Sequence, residues 1–151
     1  PTYDNGWNVT AEPNGQLTNN ADGKKYPYLF WEGKGGMYQR PEAGFVVARK
    51  NIPQFFKDSL TTIGLNQTET ADFMDYWLPF FTKKPYYFIT FSGTQVMNSV
   101  APLRITPKPD AVLRVLMDFE GLDAPKSVPP LKLRGFTRKG FTVVEWGGVK
   151  P

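Results

Sequence analysis

Two amphipathic helical stripes follow one another between residues 51 and 83, in a chain whose other segments read as strands and turns. Asn51 can cap the first helix with Pro53 in its opening turn, Phe55, Phe56, Leu60 and Ile63 recur along one helical face, and Gly64 ends it. Leu65 leads directly into Asn66-Gln67-Thr68-Glu69, where an asparagine cap and a glutamate three places on form a capping box. Phe73, Met74, Trp77, Leu78 and Phe81 then share one side of a second helix, which Pro79 kinks or finishes. With so short a connection the pair must fold as an αα-hairpin. Phe55, Phe56, Leu60, Phe73, Trp77 and Phe81 on it require an apolar surface to pack against.

That surface is expected from strands. Gly44 to Ala48, Pro85 to Phe91, Val112 to Phe119 and Gly140 to Trp146 are rich in aromatic and β-branched residues, and Leu113, Val115, Met117 and Phe119 alternate onto one face. Nearer the start, Gly6 to Ala11 and Gln16 to Thr18 flank the turn Pro13-Asn14-Gly15. Tyr26 to Glu32 reads as an aromatic strand covered on both faces, and Leu103 to Thr106 as a short alternating one. Thr94 to Val100 has room for one or two helical turns. Ala124 to Leu133 carries three prolines, so it should run extended over the surface as a strap before the final strand. The predicted fold is α+β: a mostly antiparallel sheet packed on the αα-hairpin of residues 51–83. The 151 residues, 40% of them hydrophobic, are expected to form a single globular domain over 1–151, either a mature chain or a fragment of a longer polypeptide.

Composition narrows the chemistry. The chain contains no histidine and no cysteine, yet it has 4 Trp, 7 Tyr and 12 Phe. Histidine is the side chain whose unperturbed pKa lies near neutrality, and cysteine is the strongest unassisted nucleophile and a soft metal ligand. A Ser-His-Asp triad, a thiol nucleophile and a zinc finger therefore cannot be written from these residues. The glycine run Gly33-Lys34-Gly35-Gly36 lacks the ending of a phosphate-binding loop, and no stretch matches a calcium loop. Asp118, Glu120 and Asp123 come nearest to chelate spacing. No metal and no cofactor are expected.

The net charge of +4 is uneven, with nine basic and five acidic side chains in residues 101 to 151. Lys132, Arg134, Arg138 and Lys139 gather around Phe136. They suit contact with phosphate or another polyanion, but no nucleic-acid-binding pattern accompanies them, and the group reads as a solvated loop. Nucleic acid is not an expected partner. No run of 18 apolar residues occurs, so no membrane span is expected.

Two near-mirrored motifs remain, Trp31-Glu32-Gly33 and Glu145-Trp146-Gly147-Gly148. Were those strand ends to meet, Glu32 and Glu145 could serve as the paired carboxylates of a glycosidase, and Trp31 and Trp146 could stack on a sugar. The plainer reading makes both glutamates solvent-facing neighbours of core tryptophans. Tyr3, Trp7, Tyr38, Tyr86 and Tyr87 are further candidates for ring stacking or for packing. Asn8-Val9-Thr10 and Asn66-Gln67-Thr68 match the N-glycosylation sequon. The expectation is a non-enzymatic extracellular or cell-surface structural domain that mediates assembly or adhesion, its partners copies of itself or another surface protein. The alternative is a glycan-binding module or two-carboxylate glycan hydrolase built on Trp31, Glu32, Glu145 and Trp146.

Overall fold

The computed structural model describes residues 1–34 and 36–151, and the chain divides into two compact units, Pro1–Gly35 and Gly36–Pro151. The first unit is a three-stranded antiparallel sheet of β1 (Val9–Ala11), β2 (Leu17–Asn19) and β3 (Lys25–Tyr26). The β1–β2 hairpin turns where expected: Glu12 and Gln16 close it backbone to backbone at 2.9 Å, and Gly15 takes the left-handed conformation at φ 87°. In the next turn the Lys24 amide and the Tyr26 hydroxyl both donate to Asp22, at 2.9 and 2.7 Å. Those bonds, the backbone one first, hold the Asp22 carboxyl below its ordinary range.

The expected strand from Tyr26 to Glu32 ends at Tyr26. Pro27 has no N–H to offer a ladder, and residues 27–34 form no strand. Instead of being covered on both faces, Tyr28, Phe30 and Trp31 are 37%, 49% and 43% exposed.

The second unit carries a four-stranded sheet in the order β4 (Phe45–Ala48), β5 (Tyr86–Ser92), β6 (Ala111–Leu122), β7 (Thr142–Gly148). The β4–β5 and β5–β6 ladders are antiparallel, and β6–β7 is parallel. Against one face lie α1 (Ile52–Ile63) and α2 (Gln67–Trp77), joined through Gly64, Leu65 and Asn66. Gly64 has φ 123°, and its amide and that of Leu65 both return to the Leu60 carbonyl. The α2 capping box is complete: Glu69 N donates to Asn66 Oδ1, and Asn66 N donates to Glu69 Oε2, each at 2.8 Å. Asn51 makes no side-chain cap, because a 3-10 turn at Arg49–Asn51 feeds α1 directly.

The core is aromatic at its centre. Phe56, Phe73, Trp77 and Phe81 are at most 3% exposed, and they meet Ile89, Val115, Met117 and Phe119 from the sheet. Phe56 lies edge-on to Phe73 and Phe81 at centroid distances of 5.4 and 5.2 Å, and Phe81 packs on Phe119 at 4.4 Å. Phe55 is only partly buried.

A parallel neighbour cannot be reached by a hairpin, so the chain must cross over between β6 and β7. Residues 123–141 do this with no helix. Pro130 forms a bridge to Gly44 beside β4, Leu131, Leu133 and Phe136 pack onto the core, and Phe136 covers Gly64. The predicted strap is thus a crossover. Leu103 to Thr106, read as a strand, is irregular, with Pro102, Pro107 and Pro109 around it removing the donors a ladder needs. Thr94–Val100 forms α3.

Candidate functional site

Strand periodicity gives the sheet two unlike faces. Tyr87, Ile89, Phe91, Leu113, Val115, Met117 and Phe119 face the helical hairpin. The alternating positions Thr90, Ser92, Arg114 and Asp118 point the other way, yet all four are buried. A buried polar face needs internal partners.

Arg114 has the most. It is 1% exposed and stands in register with Glu145 on β7, whose carboxylate accepts from its Nε. Its Nη1 donates to Asn98 Oδ1 at 2.9 Å, and its backbone amide donates to Thr94 Oγ1 at 3.0 Å. Both of those partners sit on α3, so one arginine ties β6, β7 and α3 together.

The second cluster centres on Asp118, which is 3% exposed and pairs with Arg40 at 2.9 Å. Arg40 also donates to the Phe119 carbonyl at 3.2 Å and reaches Glu120 at 3.4 Å. The Tyr38 hydroxyl and Ser92 Oγ are buried beside Asp118 without completing a hydrogen bond of normal geometry. Burial first, and the Asp118 charge second, push the Tyr38 phenol up to about 12. It therefore stays protonated at neutral pH, where it can donate a hydrogen bond but not abstract a proton.

Beside this cluster an open groove of about 360 Å³ runs between Phe88 and strap residues Ser127, Val128 and Pro129. Its charges answer one another: Lys126 lies 3.3 Å from Glu120 and over the Phe88 ring at 5.4 Å.

The residues singled out by sequence are distributed as follows. Trp31 and Glu32 belong to the first unit, both exposed, in the irregular segment after β3. Glu145 and Trp146 belong to the second and point to opposite faces of β7, Glu145 toward Arg114 and Trp146 onto the core, edge-on to Phe73 at 5.7 Å. The Asn8 and Asn66 sequons are exposed, and in each the side-chain carbonyl is engaged, by Asn20 Nδ2 at 2.7 Å and by Glu69 N at 2.8 Å. Asp118 and Glu120 are bridged by Arg40, and Asp123 pairs with Lys84 at 2.8 Å. Among the described residues, no group of three or more carboxylates is placed to hold a metal ion. No described helix is long and apolar enough to cross a membrane.

The sequence does not point to Arg114, Arg40 or Ser92, and it marks Tyr38 only as a candidate for ring stacking or packing. The available signal was a charge inside each half of an otherwise apolar strand, Arg114 and Asp118 in Val112 to Phe119, at the positions that alternate away from the helices. The chain matches no protein-family model, no curated protein and no solved structure.

Proposed function

We propose that this chain is a non-enzymatic extracellular or surface-associated domain that works by contact, mediating assembly or adhesion. One observation carries the reading. The second unit turns most of its rings into its own core, whereas the first keeps Tyr3, Tyr28, Phe30 and Trp31 between 37% and 64% exposed. Large rings at a surface are the residue type that interfaces favour.

The ionic groups support the same reading. Glu145, one of the two carboxylates a hydrolase would need, is engaged by the buried Arg114, and Asp118 by Arg40. Purified protein should therefore form concentration-dependent larger species in light scattering, and Phe30→Ser with Trp31→Ser should reduce them without changing the melting temperature. A monomer at all concentrations that also fails to retain any surface protein overturns the proposal.

A glycan-binding reading keeps one observation in its favour. The Trp31 ring folds back over Gly33, where a Cβ would stand 3.1 Å from the ring edge, and one side of the indole stays exposed. A sugar array probed with wild type and Trp31→Ala tests it.

A further inference from the structure

We propose that the crossover strap presents a pre-formed row of cations for an anionic polysaccharide, one carrying sulfate, phosphate or uronate groups. Residues 124–139 include Lys126, Lys132, Arg134, Arg138 and Lys139 and no acidic side chain. All five are exposed. Lys126 and Arg138 have internal partners in Glu120 and Glu69. Lys132, Arg134 and Lys139 have no carboxylate partner among the described residues.

Their direction is imposed by packing. Leu131, Leu133 and Phe136 dock onto the core, so alternation in an extended chain turns Lys132 and Arg134 outward, about 7 Å apart along the strap. The backbone beneath them is pinned: Phe136 covers Gly64, Gly135 lies against the Thr62 carbonyl, and Arg138 donates to the Gly64 carbonyl at 3.1 Å. Cations held on a fixed backbone lose less entropy on binding than those of a mobile loop.

Three exposed cations without carboxylate partners on one packed segment suit a polymer bearing repeated charges. A nucleic acid fits less well, because single-strand binding relies on rings that stack on bases, and Phe136, the one ring between Lys132 and Lys139, is turned to the core. The inference rests on the adhesion reading only in naming what is adhered to. Self-association is a separate property with its own readout.

The test uses the whole chain and a heparin dodecasaccharide as probe, titrated calorimetrically from 50 to 200 mM salt. Counterion release by three cations predicts binding that weakens roughly 10- to 60-fold over that range. The variant Lys132→Ser/Arg134→Ser/Lys139→Ser should lose binding at least tenfold with its melting temperature and light scattering unchanged, while Lys132→Arg/Lys139→Arg should retain it. Arg104→Ser/Lys108→Ser, which lowers net charge at positions outside residues 124–139, should bind like wild type. The proposal is overturned by absence of wild-type binding, by equal loss in the Arg104/Lys108 variant, by full binding in the triple variant, or by tighter binding to a single-stranded oligonucleotide of matched charge.

Discussion

The Trp77 indole lies directly on the α-carbon of Gly148, so that a Cβ at that position would stand 2.7 Å from Cζ2 and 2.8 Å from Cη2. The same Cβ would also come within 3.1 Å of the Met117 carbonyl oxygen. The end of β7 therefore closes over α2 only because residue 148 has no side chain.

Gly148→Ala should lower unfolding stability by about 1–3 kcal/mol through overpacking. Trp77→Ala removes the ring instead and should cost about 3–5 kcal/mol. Urea denaturation of the two variants and of the double mutant checks this. The relationship is wrong if Gly148→Ala is as stable as wild type.

Glu145→Gln should destabilise the fold by about 1–3 kcal/mol, because the buried guanidinium of Arg114 loses its counter-charge while keeping one hydrogen-bond partner there. Replacing both residues by methionine should recover most of the loss, since breaking a buried pair costs more than removing it. A hydrolytic role for Glu145 would predict lost turnover with stability intact, so thermal melts separate the two.

The Tyr38 phenol has an ordinary value of 10 and is pushed up to about 12 in the fold, so the native state holds its proton where the unfolded chain releases it. Its contribution to stability is intact below about pH 10 and is lost progressively as pH climbs toward 12. Tyr38→Phe should flatten that part of the stability curve relative to wild type and leave neutral-pH stability equal or slightly higher, the hydroxyl completing no hydrogen bond of normal geometry. Denaturant unfolding at several pH values reads the difference.

Asn66→Ala should cost about 1 kcal/mol by removing the α2 cap. Asn66→Asp should restore it, while preventing any sugar from being attached there. Chemical unfolding of the pair isolates the cap from modification.

Much of the second unit was legible in the sequence because its helices repeat apolar residues at one period and its strands at another. Phe56, Leu60, Phe73 and Trp77 announced the hairpin, and Leu113, Val115, Met117 and Phe119 announced the face that receives it. The first unit was read less well. Tyr28, Phe30 and Trp31 look like a strand by residue type, but Pro27 interrupts the donors and no partner strand follows. Chain order offered no sign that β7 would lie parallel to β6, which depends on where a proline-rich crossover travels. The polar clusters were hidden for a related reason. Arg114 meets Glu145, and Asp118 meets Arg40, only after residues far apart in the chain are brought into register.

The crossover has a consequence for how the molecule is made on the ribosome. Residues 45 to 122 can pair three strands and dock both long helices through antiparallel ladders as they emerge. Arg114 must wait for residue 145, so an unfinished chain holds a guanidinium that Asn98 can engage but no carboxylate yet neutralises, along a sheet edge β7 has still to cover, and its quality as a nascent protein hinges on the speed of that final closure.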